Sequence, residues 1–157
     1  MKILSIDPGY ERLGIAIINR EQGKKEELLH SECFKTDAKL PFEERLLLVG
    51  NKIENLISTH KPFVLAIETL FFSKNTKTAM RVAETRGAII YIASNNNLKI
   101  KEINPMEIKV AVTGDGKSDK HQMIKMVQMI LKMDKKATDD EYDAIACGLA
   151  CSAIIRN

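Results

Sequence analysis

Tryptophan is absent from the 157 residues, aromatic residues make up 5%, and there are only three histidines and three cysteines. So low an aromatic content selects no function by itself. No apolar run reaches the roughly 18 to 20 residues that a membrane-crossing helix needs. The opening "MKILSIDPG" sets a charge and a turn where a secretory leader carries its apolar centre. No signal peptide is therefore expected, and the expected location is the cytoplasm. Cys33, Cys147 and Cys151 form an odd set, two of them four apart on a predicted buried helix with no histidine beside them. Reduced, packed thiols are expected rather than a zinc site. Repeats, low-complexity tracts and linker-like segments are missing as well.

Hydrophobic residues make up 45% of the chain, enough for one domain over residues 1–157 with its own core. Charged residues are 29% but nearly balanced, at a net charge of +3, so the chain is neither disordered nor strongly basic as a whole. "KILSID" (2–7) reads as a buried strand stopped by Pro8-Gly9, and "LGIAIINR" (13–20) as its antiparallel hairpin partner. "ELLHSECFKT" (27–36) is a third strand. Pro41 opens a helix with Leu46, Val49, Ile53 and Leu56 on one face. "FVLAIE" (63–68) has the unbroken apolar character of a strand covered on both sides. A long helix over about 75–95, a strand "LKIKEI" (98–103), a short helix to about 112 and another over 118–132 precede a last helix beginning near "TDDEYDAIACGLA" (138–150). Three strands followed by alternating helices and strands predict an α/β protein with one mixed sheet flanked by helices on both sides.

The last helix start holds four carboxylates in five positions. Thr138 and Glu141 have capping-box spacing, and Asp139 and Asp140 suit the positive end of a helix dipole. Asp143 is left over. It shares a helical stripe with Cys147, Ala150 and Ile154 that should face the core, where a carboxylate needs a partner, a proton or a metal. Either Asp140 or Asp139 could join it, being three and four residues back. Asp7 and Glu68 each end an apolar strand, where an open α/β sheet presents its crevice, although an acid there can also simply have reached solvent. Carboxylates on the first strand, a middle strand and the last helix could together hold two divalent cations, and oxygen donors suit Mg²⁺ or Mn²⁺ rather than zinc.

"ILSIDPGYERLGIAII", "LAIETLFFSKN" and "TDDEYDAIACGLA" resemble, in order and spacing, the three acidic motifs of the RuvC Holliday junction resolvases. "NPMEIKVAVTGDGKSDKHQMIKMV" is similar to the basic segment between the family's second and third motifs. The resemblance spans nearly the whole chain. It implies an RNase H-like fold with a five-stranded mixed sheet, and metal-binding catalytic carboxylates at Asp7, Glu68, Asp140 and Asp143, choosing Asp140 over Asp139. It also implies catalytic and DNA-contacting roles for Lys109 and Lys120, an aromatic near the junction centre at Phe71, and further DNA contacts at Lys74, Asn75 and Lys117. Two Mg²⁺ ions per site, with Mn²⁺ as a substitute, would hydrolyse a phosphodiester to leave 5′-phosphate and 3′-hydroxyl ends. The implied substrate is four-way junction DNA, bound by a homodimer, with RuvA/RuvB-type branch-migration proteins as implied partners. The family often has Gln after the second-motif acid, where this chain has Thr69.

The long helix's apolar residues Ala79, Val82, Ala83, Ile89, Ile90 and Ala93 suit a dimer interface or a core equally well. Lysines from 99 onward bias this half toward phosphate binding, although Lys132, Lys135 and Lys136 read as an ordinary solvated surface. "AVTGDGKS" ends like a phosphate-binding loop, but Ala111 stands where the first glycine belongs and a helix precedes it. The three histidines lie outside the acidic motifs and take no catalytic role. Rival readings are a YqgF-type RNA-processing nuclease, to which the second and third motifs are less similar, and a junction-binding protein without chemistry, against which the four acids argue. An actin-like sugar kinase would need two domains and a longer chain.

Overall fold

The computed structural model describes residues 1–70, 76–134 and 136–156. Five strands form one sheet: β1 (Lys2–Asp7), β2 (Arg12–Asn19), β3 (Glu27–Lys35), β4 (Val64–Glu68) and β5 (Lys99–Ile103), in spatial order β3-β2-β1-β4-β5. β1, β2 and β3 form an antiparallel meander, while β4 and β5 run parallel to β1. The parallel pairs need crossovers, which α1 (Phe42–His60) and α2 (Thr76–Asn95) supply. α3 (Pro105–Thr113), α4 (Lys120–Leu131) and α5 (Asp139–Arg156) follow.

Strand side chains alternate between faces, so each apolar strand feeds two cores. Leu4, Ile6, Ile15, Ile17, Leu65 and Ile67 pack with Val49, Ile53 and Leu56 of α1 and Ile89 and Ala93 of α2. Ile3, Ala16, Ile18, Val64 and Ala66 pack on the opposite face with Ile108, Val112, Met123 and Val127 of α3 and α4 and with α5. Because helices cover both faces, β1 and β4 are buried on both sides through their central residues rather than alternating. β5 is an edge strand and carries Lys99 and Glu102 at exposed positions, the usual protection of an unpaired edge.

Helix starts follow local chemistry. Asn104 with Glu107 and Asp119 with Gln122 form complete capping boxes on α3 and α4. This is why the helix expected from 118 begins at Lys120. Thr138 and Glu141 make the third box: the Glu141 carboxylate accepts from the Thr138 amide at 2.8 Å and the Thr138 hydroxyl from the Glu141 amide at 3.4 Å.

α5 departs from the one-sided stripe its sequence suggests. Cys147 and Ala150 are buried as expected, but so are Tyr142, Ala144, Ile145, Ala146, Leu149 and Cys151. Small residues let this helix lie almost on the sheet: a Cβ on Gly148 would stand 2.6 Å from the Ser5 hydroxyl oxygen and 2.7 Å from Ile18 Cγ1. The three cysteines are free thiols, and burial pushes Cys147 well up and Cys151 to about 11, so both are packing groups. Among the described residues no helix is long and apolar enough to cross a membrane.

Gly148→Ala should lower stability by about 2 kcal/mol, because the methyl group must displace the sheet or tilt α5. Urea unfolding of the two proteins measures the difference.

Candidate active site

β1 and β4 are neighbouring parallel strands with Ile6 opposite Ile67, so Asp7 and Glu68 emerge side by side at the same end of the sheet. α5 begins over that end and brings Asp140 and Asp143 from its first turns. The approach depends on a missing side chain. Gly14 pairs with Asp7 across the β1–β2 ladder, and a Cβ there would stand 2.1 Å from the Asp140 carbonyl oxygen and 3.0 Å from Asp7 Cβ. An isolated glycine inside the strand "RLGIAIIN" was the available sequence signal for such a close backbone contact. Two arginines support the site as well. Arg86 of α2 donates from Nε to the Glu68 carbonyl at 3.1 Å and pairs with Glu102, fixing the end of β4. Arg45, buried on α1, donates to the Thr36 hydroxyl at 2.8 Å and stacks 4.7 Å from the Tyr10 ring, anchoring the turn after Asp7.

Electrostatics show that the four acids share one neighbourhood. Burial, then the charges of Asp143, Glu68 and Asp140, push the Asp7 carboxyl up to about 7, with Lys120 opposing. Glu68 is raised by burial and by Asp143. Asp143 is raised by burial, which outweighs the hydrogen bond and charge of Lys120. Asp140 goes the other way: burial would raise it, but hydrogen bonds and charge from Arg12 hold it below the ordinary value.

Two cations of the chain already sit on the cluster. Lys120, first residue of α4, donates from Nζ to Asp143 Oδ2 at 2.9 Å and lies 3.4 Å from Asp139 Oδ2. Asp139 is thus an ion-pair partner as well as a helix-start charge. Arg12 donates to Asp140 Oδ2 from Nε at 2.9 Å and from Nη2 at 2.5 Å. No sequence pattern links residues 12 and 140, so this pair was not anticipated. Lys109, half-buried on α3, lines a cavity of about 230 Å³ together with Glu68, Ile108, Lys120, Met123 and Asp143. Among the described residues it has no ion-pair partner. Lys117 is exposed in the loop between α3 and α4 and does not line that cavity. Phe71, Lys74 and Asn75 lie outside the described residues. The Thr69 hydroxyl is buried and finds no partner among the described residues.

The donor set suits hard divalent cations: four carboxylates, three of them made harder to ionise by burial and one another, where added positive charge would be stabilising. Among the described residues no three acids converge as ligands, and Asp140 and Asp143 instead meet Arg12 and Lys120.

An antiparallel three-strand meander continued by parallel βα units, with acids at the ends of β1 and β4 and on the last helix, defines an RNase H-like fold. The sequence pattern described as "Crossover junction endodeoxyribonuclease RuvC" matches residues 3–151. RuvC from Thermosipho melanesiensis is 41% identical over 147 residues, 93% of each chain. RuvC from Caldicellulosiruptor saccharolyticus is 39% identical over 150 residues, 95% of this chain and 90% of that one. The structure of T. thermophilus RuvC in complex with a Holliday junction substrate superposes with a TM-score of 0.94 at 27% identity, covering 99% of this chain and 95% of that one. The chain belongs to the RuvC crossover junction endodeoxyribonuclease family.

A raised carboxyl works against stability once it ionises. The folded protein keeps the Asp7 proton that the unfolded chain releases near pH 3.8, so this contribution is lost as pH rises from there through about 7. Asp7→Asn removes the charge. In metal-free buffer at pH 8 the variant should melt about 5 °C above wild type, with the gap closing below pH 4. Scanning calorimetry at both pH values checks it.

Proposed function

We propose that this protein cuts four-way DNA junctions by paired, symmetric hydrolysis of phosphodiester bonds, acting in recombination and repair. The observation that carries the reading is the placement of Asp7, Glu68, Asp140 and Asp143 around one end of the sheet in a chain of the RuvC family. In this reading Asp7, Glu68, Asp140 and Asp143 would hold two Mg²⁺ ions, with Mn²⁺ as a substitute, which would supply water activation and charge compensation for phosphodiester hydrolysis.

The chain's own residues do the rest. Asp7 and Glu68 hold their positions because the sheet ladder fixes their backbones, and Gly14 sets the height of α5 above them. Lys109 carries a positive charge into the cavity beside Glu68 and Asp143 with no internal partner among the described residues, so its ammonium is available to a phosphate oxygen as negative charge builds there. Lys120 reaches the same cavity while donating to Asp143, which suits it to hold that carboxylate and to offset charge on the phosphate. Lys117 lies farther out and suits backbone contact without sequence information. Phe71, Lys74 and Asn75 keep the DNA-contacting roles that the family resemblance implies.

A homodimer would place two such sites on opposite strands. Support comes from α2, where Ile89 and Ala93 are core while Met80 and Tyr91 are 63% and 71% exposed, with Ala83 and Gly87 exposed between them. Positions 80, 83, 87 and 91 form one apolar stripe on that helix. A single nuclease domain over residues 1–157, a cytoplasmic location and branch-migration partners of the RuvA/RuvB type complete the proposal.

With Mg²⁺ present, a mobile four-way junction should be nicked at symmetric positions on two like strands, while a flap and a linear duplex stay intact. Product ends mapped on a sequencing gel report it, and equal cutting of all three substrates would defeat the reading. Asp7→Asn should abolish nicking yet still shift the junction in a gel. Lys109→Ala should slow single-turnover cleavage on the order of 100-fold, with junction affinity changed by only a few fold. Equal losses in rate and affinity would reduce Lys109 to a phosphate anchor.

A further inference from the structure

Arg12 is a residue that the chemistry above does not use, although it makes the tightest side-chain contact with any of the four acids. Both of its donating nitrogens meet one oxygen, Asp140 Oδ2, and the Cys33 thiol approaches the same oxygen at 3.6 Å. No other partner holds the guanidinium among the described residues. Its side chain is 48% exposed, against 17% for Arg86, which is tied to the β4 backbone and to Glu102. Arg86 is built in, whereas Arg12 can leave.

We infer that Arg12 is an exchangeable counter-ion of the catalytic cluster: it holds Asp140 while no metal is bound, and a divalent cation must take Asp140 from it. The inference rests on reading the four acids as a cation site. A guanidinium stays charged at all working pH values, so only a competing cation or anion releases it. A residue that merely aimed Asp140 would leave the carboxylates converging. Here no three of them do, and Asp140 is turned to Arg12. An ion pair this exposed is weak enough to be exchanged. Release also returns a half-exposed guanidinium to the mouth of the site, where DNA phosphate would be its next partner. Arg12 thus acts on the cation site through Asp140, as a counter-ion that competes with the metal.

Mn²⁺ titrated into the DNA-free protein, followed by electron paramagnetic resonance of the free ion, tests this without any cleavage. Wild type should show binding that Asp7→Asn weakens. Arg12→Ala should bind Mn²⁺ about tenfold more tightly, since a fixed positive charge a few ångströms away is removed. Arg12→Lys keeps the charge and should stay near wild type, and Arg81→Ala, whose partner Glu84 lies along α2, should change nothing. Unchanged or weaker binding in Arg12→Ala overturns the inference; weaker binding would make Arg12 an aiming residue. If wild type shows no Asp7-dependent Mn²⁺ binding, the cation-site reading itself fails, and the inference falls with it.

Discussion

Four carboxylates gathered at one end of a sheet repel one another, and the rest of the molecule has to hold them there. Asp7 and Glu68 cannot move apart, because each ends a strand whose preceding residues are locked in a parallel ladder. Asp140 and Asp143 cannot rise away, because α5 is pinned to β1 and β2 by small buried residues and by the close seats at Gly14 and Gly148. Burial first, and then the charges of neighbouring acids, raise the proton affinity of Asp7, Glu68 and Asp143. Burial on both faces of the sheet is what allows the fold to carry this unfavourable charge density.

Most of the fold was legible because its signals are local. Apolar strands ending in Asp or Glu, a Pro-initiated helix and the Thr138–Glu141 capping box each sit within a few residues of sequence, and each appears in the structure. The antiparallel hairpin followed from the tight connection after Pro8-Gly9, and the mixed sheet from the order of strands and helices. What could not be read lies across the chain. Arg12 meets Asp140 over 128 positions, and nothing in "GYERLG" distinguishes that arginine from a surface one. The burial of α5 on nearly all sides was hidden for a related reason. A helix of alanine, glycine and cysteine has little apolar contrast to show which face is inward, and its depth is set by the small residues opposite. Asp7, Glu68 and Asp143 stood out by their places at strand ends and on the helix stripe, and Asp140 by motif resemblance, whereas their electrostatic state needed the neighbours that only folding supplies.

The two cations on the cluster differ in kind. Lys120 comes from the first turn of α4, a helix whose start is fixed by the Asp119–Gln122 box, and its ammonium spans Asp143 and Asp139. Its charge is compact, its stem flexible, and its cavity is shared with Lys109, so it can turn from a carboxylate to a phosphate without leaving the site. Arg12 comes from the start of β2, outside that cavity, and grips a single oxygen with two donors. Its planar fork favours an all-or-none exchange of partners.

This asymmetry bears on how a nuclease avoids acting before its substrate arrives. A cluster with no internal cations would be strongly destabilised when metal-free, and one with deeply buried cations would resist metal altogether. Half-exposed ion pairs lie between these limits, since water screens them enough to be broken yet they still offset the repulsion. On this view Arg12 offsets the charge of the acids until a divalent cation takes Asp140 from it, and its released positive charge is then directed at an incoming polyanion. Loading of the acids and engagement of the phosphate backbone would then favour each other by simple charge balance, with no movement of the sheet required.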